Sequence, residues 1–253
     1  DKRYMITISI EAQSIRGPVR ENNEDMILVS TRTVRDSSLV TKVLLDNKDR
    51  YIVAVADGMG GHQSGEVASE IVTSDMSSFF NALPDSLSYN ELREYFQIWI
   101  EEEHTKLKVR GEENALLKGM GTTMVCLVIY ENKVIWLNCG DSRIYRFRNG
   151  FLTQLSTDHS LEEMTGIKGH PNVICNSIGA GNSSFFDLED ITAFVFNNDT
   201  FLLCSDGLSN MLSDDKMESI LKDRNSVEEL VDMACKAGGM DNISICLAHF
   251  EMK

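Results

Sequence analysis

The sequence predicts an α+β domain in which helices pack outside stacked, largely antiparallel sheets. Three observations favour it: short β-type runs spread along the chain, two long helical segments between the early and middle runs, and short turns joining neighbouring runs. With 253 residues, 42% of them hydrophobic, the chain can bury one large core. It contains no internal repeat, low-complexity tract or linker, so residues 1–253 are expected to form a single domain.

The strands are predicted from short runs rich in Val, Ile, Phe and Thr. These runs are residues 5–10, 26–31, 51–56, 122–130, 133–138, 143–147, 151–155, 201–204 and 243–249. Short turns at 130–133 and 148–150 join neighbouring runs, and the second contains Asn149-Gly150, a strong hairpin signal. Hairpins pair strands in opposite directions, so much of the sheet is expected to be antiparallel.

The helices are predicted where apolar residues recur on one stripe. Residues 64–80 and 89–108 show this spacing. Ser226 with Glu229 three residues later has the pattern of a capping box, which predicts a third helix from there. A shorter helix is expected to begin at Ser213.

Charge and cysteine content exclude several classes of function. A net charge of −15 disfavours a nucleic-acid surface, because a polyanion would be repelled. The six cysteines include no C-x-x-C pair and lie mostly in apolar runs, which predicts buried free thiols rather than disulfides or a zinc site. No run is long and apolar enough for a membrane helix, and the expected location is cytoplasmic. The acidity itself serves either solubility or a cation site.

Five acidic segments stand at predicted strand ends or in turns, where a carboxylate can face a cleft. They are Glu24-Asp25, Asp57-Gly58, Asp141, Asp206-Gly207 and Asp241-Asn242. Carboxylates beside buried strands are costly unless paired, and no Lys or Arg is close in sequence to Asp57 or Asp206. A bound cation would offset that cost, and oxygen ligands favour Mg²⁺, Mn²⁺ or Ca²⁺. The alternative is that each Asp-Gly is an ordinary turn. It explains a single Asp-Gly well, but it explains the whole set of strand-end aspartates less well.

Seven motifs in chain order resemble those of the metal-dependent type 2C protein phosphatase family, and its bacterial branch most. They are GPVRENNED at 17–25, VADGMGGH at 55–62, GMGTT at 119–123, GDSR at 140–143, TDHS at 157–160, SDGL at 205–208 and GMDN at 239–242. The resemblance runs from about Ser14 to Leu247. It implies a four-layer α/β/β/α sandwich, two antiparallel sheets flanked by helices, with a metal site in the cleft at the sheet edge.

The resemblance also implies the activity. The family hydrolyses phosphoserine and phosphothreonine in proteins, using a hydroxide that bridges two Mn²⁺ or Mg²⁺ ions, with a weaker third ion possible. The implied partners are phosphorylated proteins and a cognate Ser/Thr kinase whose action the enzyme counteracts. The chain is expected to work as a monomer, without nucleic acid or membrane.

Residue by residue, the resemblance makes Asp57 the ligand that bridges the two metals. The other implied ligands are the Gly58 carbonyl, Asp206 and Asp241, with Glu24 and Asp25 acting directly or through water and Asp141 at the third ion. Arg20 corresponds to the arginine that grips the substrate phosphate, for which a planar fork of donors suits better than Lys. The alternative for Arg20 is a surface salt bridge with Glu21 or Glu24. The catalytic set is therefore Arg20, Asp57, Asp206 and Asp241.

Three positions depart from the family pattern. Met59 stands where animal members have a histidine proposed as general acid, so His62 and His159 either support loops or donate a proton. Residues 160–171 are shorter than the family's usual flap, which leaves the substrate range open. Asn210 replaces a common aspartate, which puts the third metal in doubt.

Three further residues are expected to have only structural roles, and two other functions compete with phosphatase activity. His104 is expected on a solvated helix face, and Trp99 and Trp136 in the core. The chain could instead be a catalytically silent, metal-responsive scaffold, but the presence of Asp57, Asp206, Asp241 and Arg20 argues against this alternative. A metal-dependent phosphodiesterase or nuclease is disfavoured by the negative charge.

Overall fold

The computed structural model describes residues 5–61, 64–169, 173–224 and 226–252. Thirteen strands run through these residues. They are β1 Ile6–Ile15, β2 Asp25–Val29, β3 Arg32–Val34, β4 Ser37–Leu45, β5 Arg50–Met59, β6 Gly121–Thr122, β7 Met124–Tyr130, β8 Lys133–Cys139, β9 Arg143–Arg148, β10 Phe151–Gln154, β11 Asp187–Asp190, β12 Thr200–Cys204 and β13 Ile243–Met252. Six α-helices accompany them in the same ranges: α1 Ser64–Ala82, α2 Tyr89–Glu113, α3 Leu161–Thr165, α4 Asp206–Ser209, α5 Asp214–Asp223 and α6 Val227–Lys236.

The strands form two sheets. The first has the order β10-β9-β12-β13-β1-β4, and the second has the order β11-β8-β7-β5-β2-β3, with β6 paired to β5. The assigned strand pairs are antiparallel, which confirms the prediction from the hairpin signals.

Three apolar layers hold the sheets and helices together. The central layer lies between the two sheets and includes Ile10, Val55 and Phe201. One outer layer joins α1 and α2 to the second sheet, and the other joins α5 and α6 to the first. The result is the four-layer α/β/β/α sandwich that the resemblance implies, and Trp99 and Trp136 are buried in it as expected.

Several elements differ from their predictions. The edge strand β4 and the short strands β3 and β11 were not predicted, because exposed polar residues interrupt their apolar pattern. The helix predicted after Ser226 is confirmed as α6, but the predicted capping box is wrong, because the Ser226 side chain makes no capping hydrogen bond. Ser88 instead forms a capping box, which was not predicted, at the start of α2. The helix at Ser213 is confirmed as α5, with the Ser213 hydroxyl as its cap.

In the part of the chain that the structure describes, no helix combines the length and the apolarity needed to cross a bilayer.

Candidate active site

The sandwich brings the acidic segments to one end of the two sheets. Asp25 begins β2 and lies directly opposite Asp57 on the neighbouring strand β5. Asp206 follows β12 and Asp241 precedes β13, two strands that are paired in the other sheet. Asp141 stands in the turn between β8 and β9. Residues far apart in sequence therefore surround one cleft.

Two Asp-Gly turns are packed too closely to accept a side chain at the glycine. A Cβ on Gly58 would lie 2.1 Å from the Gly65 carbonyl oxygen, and the Gly58 N–H donates to the Glu24 carbonyl. A Cβ on Gly207 would lie 1.8 Å from the Asn242 carbonyl oxygen. These contacts fix Asp57 to the start of α1 and Asp206 to the segment that carries Asp241.

A buried hydroxyl chain orients Asp25. The Ser205 hydroxyl donates to Asp25 Oδ2 at 2.7 Å and accepts the Ser244 N–H at 3.1 Å. The Ser244 hydroxyl in turn contacts that of Ser14. Asp25 has no exposed surface, so its carboxylate depends on this chain rather than on water for its orientation.

The electrostatics of the cleft disfavour four ionised carboxylates. Burial is the largest cause at each of them and raises the pKa of Asp25 and of Asp141 to about 7. The pKa of Asp57 is raised well above its ordinary value by burial and then by the charge of Asp25. The pKa of Asp206 is raised by burial and by the charge of Asp241. These groups repel one another, and a shared cation would remove the penalty.

Among the described residues, three carboxylate oxygens in the cleft are buried without a hydrogen-bond partner: Oδ1 of Asp25, Asp141 and Asp206. A buried carboxylate oxygen normally has a donor or a metal ion. The donor set is all oxygen, which suits Mg²⁺ or Mn²⁺. Within the described ranges, no three acidic, His or Cys side chains already form a cation cage. The ligand roles therefore stay predictions.

Arg20 lies at the mouth of the cleft with its side chain about half exposed. Its Nη2 donates to Asp241 Oδ2 at 2.6 Å. The ion pair is therefore with Asp241 rather than with Glu21 or Glu24, the partners named in the salt-bridge alternative. Asn242 steadies the surrounding loop, because its amide donates to the carbonyls of Arg16 and Asn22 and accepts the Glu24 N–H.

Asn210 contacts the site as a donor. Its Nδ2 donates to Asp206 Oδ2 at 3.0 Å. Asp141, Asp206 and Asn210 line one small cavity of about 140 Å³. In this arrangement the amide donates a hydrogen bond to the Asp206 carboxylate, at the position where a common aspartate of the family would add a negative charge.

Two histidines prove to be structural. His159 is buried, and its Nδ1 accepts from the Gly140 N–H and faces the Asn176 amide, while Nε2 contacts Asp187. It therefore supports the Asp141 turn and is not free to donate a proton to a substrate. The expectation for His104 is wrong: it is only 5% exposed and accepts the Gly179 N–H. His62 lies outside the described residues.

Arg35 is a site-supporting residue that the sequence interpretation missed. Its guanidinium donates to the Asp25 carbonyl at 2.9 Å, and to the Glu66 carbonyl and the Ser69 hydroxyl at 2.9 Å each. It thus ties the start of β2 to α1. No motif contains Arg35. Its role is visible only in the folded chain, where it contacts Ser69, a residue 34 positions away in sequence.

The segment after Ser160 flanks the cleft. It contains α3, whose first turn is capped by the Ser160 hydroxyl, and an isolated bridge between Ser160 and Ile174. The predicted flap at 160–171 falls here, and its last two residues lie outside the described ranges.

Comparison with protein families and curated proteins gives consistent matches. The family profile described as Protein phosphatase 2C matches residues 35–240. Serine/threonine phosphatase stp of Listeria monocytogenes is 33% identical over 258 residues, which cover 96% of this chain and 96% of that protein. Protein phosphatase PhpP of Streptococcus pneumoniae is 36% identical over 214 residues, which cover 78% of this chain and 85% of that protein.

Similar solved structures are also serine/threonine phosphatases. The S. agalactiae serine/threonine phosphatase superposes with a TM-score of 0.79 at 30% identity, covering 95% of this chain and 98% of that one. The catalytic domain of the serine/threonine protein phosphatase PstP, solved in complex with two manganese ions, superposes with a TM-score of 0.73 at 27% identity, covering 97% and 99%.

Proposed function

The chain belongs to the protein phosphatase 2C family, and from that premise we propose how its residues hydrolyse phosphoserine and phosphothreonine in proteins. The chain is a protein serine/threonine phosphatase of a metal-dependent family. The observation that carries the proposal is that, in the described part of the chain, buried carboxylate oxygens of Asp25, Asp141 and Asp206 have no hydrogen-bond partner in one cleft.

The residues present fit two divalent cations, Mn²⁺ or Mg²⁺. The proposed holders are the carboxylates of Asp57, Asp206 and Asp241 and the Gly58 carbonyl, with Glu24 and Asp25 acting directly or through water and Asp141 at a weaker third position. When bound, such ions activate a water as the nucleophile and neutralise charge on the phosphate. Because burial raises the pKa of Asp25 and of Asp141 to about 7, cation binding at these two residues would also displace protons near neutral pH.

Arg20 is proposed to hold the substrate phosphate. A guanidinium has five N–H donors, and the contact with Asp241 uses one of them. The side chain is about half exposed, so the remaining donors can form a charge-assisted bond to a phosphate oxygen, which would orient the phosphorus atom towards the carboxylates. No protein side chain acts as nucleophile, so no covalent phosphoenzyme is expected.

We extend the proposal to its cellular partners. A phosphatase of this class opposes a Ser/Thr kinase that phosphorylates the same proteins, and we propose that this one does so as a cytoplasmic monomer. Four of the six cysteines are buried free thiols, which suits a reducing compartment. A phosphoproteome comparison of cells with and without the protein would identify the substrates.

Phosphate release from three otherwise identical peptides, carrying phosphothreonine, phosphoserine or phosphotyrosine, tests the activity. With Mn²⁺ or Mg²⁺ present, the first two peptides should be hydrolysed and a chelator should stop the reaction. Labelled substrate should leave no label on the denatured protein. Absence of turnover with either ion would favour the alternative, a metal-responsive scaffold.

A further inference from the structure

A groove of about 470 Å³ lies beside the cleft, between the C-terminal part of α2 and the segment 179–181. Leu107, Lys108 and Gly111 line it from α2. Residues 118–120 line it as well and lead directly into β6. The groove uses none of the residues assigned to metal or phosphate binding.

The groove begins where the active-site strand ends. Met59, two residues after Asp57, pairs with Gly121 of β6. The Gly119 carbonyl lies 3.5 Å from where a Cβ on Gly60 would stand. Gly60 is three residues after Asp57, so at about 3.3 Å per residue the groove begins within about 10 Å of Asp57. An extended substrate whose phosphorylated residue sits at Asp57 therefore reaches the groove with a residue about three to five positions away.

The groove is open and its walls are fixed. A Cβ on Gly119 or on Gly181 would meet no described atom within 4 Å, so the glycines leave space for another chain. His104 holds the far wall by accepting the Gly179 N–H at 3.1 Å. Lys108 Nζ donates to the Gly181 carbonyl at 3.2 Å. A bound peptide would need little rearrangement of these walls, which lowers the cost of binding.

The groove is locally basic in an acidic protein. The residues that line it include two basic side chains, Lys108 and Lys118, whereas the whole chain carries −15. Glu112 is the one acidic residue lining the groove. Lys118 is exposed, and within the described residues its ammonium has no ion pair or hydrogen bond. Lys108 contacts a carbonyl rather than a carboxylate.

We propose that this groove binds an acidic side chain of the phosphoprotein substrate, three to five residues from the phosphorylated Ser or Thr. The inference rests on the proposed phosphatase function and adds a substrate preference to it. Lys118 is the principal cationic partner, and Lys108 adds to the local positive potential. The groove is therefore a specificity surface, separate from the residues that perform hydrolysis.

The test compares phosphothreonine peptides that differ in Asp or Ala at the third, fourth or fifth position on either side. At low salt, the protein should prefer one acidic peptide by about 3- to 10-fold in kcat/KM, the range for one or two exposed ion pairs. Lys118→Glu should abolish or reverse that preference, and Lys118→Arg should keep it. Hydrolysis of p-nitrophenyl phosphate, which is too small to reach the groove, should be unchanged in both variants.

Lys48→Glu is the matched control. It makes the same change of charge in the turn at the other end of β5, and it should leave the peptide preference intact. No acidic preference in the unmodified protein, or equal loss in Lys48→Glu and Lys118→Glu, would overturn the inference. Failure of the unmodified protein to hydrolyse p-nitrophenyl phosphate would contradict the proposed function instead.

Discussion

Arg20 and Asp241 are joined by a 2.6 Å hydrogen bond between Nη2 and Oδ2, although 221 positions separate them in the chain. The other carboxylate oxygen of Asp241 accepts the Asn242 N–H at 2.8 Å. The contact places the proposed phosphate-binding cation against a proposed metal ligand. Because both partners are partly exposed, the pair contributes little to stability, and its value lies in positioning.

Arg20→Ala should weaken catalysis without unfolding the protein. Loss of a charge-assisted contact to phosphate should cost about 2 kcal/mol in kcat/KM, roughly 30-fold, and Arg20→Lys should recover part of it. Steady-state kinetics on a phosphothreonine peptide and thermal melts of each variant measure the two effects. Intact kcat/KM with lowered stability would show that Arg20 serves only as a salt-bridge partner.

Divalent metal should stabilise the fold, because it relieves repulsion among Asp25, Asp57, Asp141 and Asp206. Mn²⁺ at a hundred times its Kd should add about 2.7 kcal/mol to the free energy of unfolding. Asp57→Asn should abolish both this gain and the activity. Melting curves with Mn²⁺ and with a chelator measure the gain, and curves that coincide would count against the site.

Asn210→Asp should tighten a third cation. The present amide donates to Asp206, whereas a carboxylate would add negative charge beside Asp141 and Asp206. Calorimetric titration with Mn²⁺ should show two sites in the unmodified protein at modest concentration and a third only at high concentration. Asp141→Ala should lower turnover and leave two ions bound. Three sites of similar strength in the unmodified protein would contradict the idea.

Glu103→Gln should stabilise the protein at pH 8 and have little effect near pH 4.5. Burial raises the pKa of Glu103 from its ordinary 4.5 to about 7. Its neutral form is favoured in the folded state, so the stability it contributes is complete below pH 4.5 and is lost as the pH rises through 7. Glutamine mimics the neutral form and avoids this loss.

The expected gain at pH 8 is on the order of 1–2 kcal/mol, less than the full pKa shift allows. The gain is reduced because the Lys106 ammonium, whose Nζ lies 3.4 Å from Glu103 Oε1, stabilises the ionised carboxylate. Lys106 also contacts Asp75, which weakens this effect. Urea unfolding at both pH values measures the gain. Glu102→Gln, on the exposed side of α2, is the control and should show no such pH dependence. Equal effects at the two pH values would show that Glu103 is not neutral in the folded protein.

Local patterns were sufficient for most of the fold. Apolar periodicity located α1 and α2, and the Asn149-Gly150 signal located the hairpin of β9 and β10. Such patterns depend on neighbours within a few residues and need no knowledge of tertiary partners. The edge strand β4 was missed because its exposed side alternates polar and apolar residues, and only pairing with β1 makes it a strand.

The sequence by itself determined the class of protein and the carboxylates proposed for its metal site, because ordered motifs specify residue types and their spacing. Only the tertiary structure decided how these residues meet: Asp25 opposite Asp57, Arg20 on Asp241, and Asn210 as a donor to Asp206. It also buried His104 against Gly179, where the sequence suggested solvent. The physical reason is that hydrogen bonds, burial and repulsion depend on distances across strands that become neighbours only when the two sheets form.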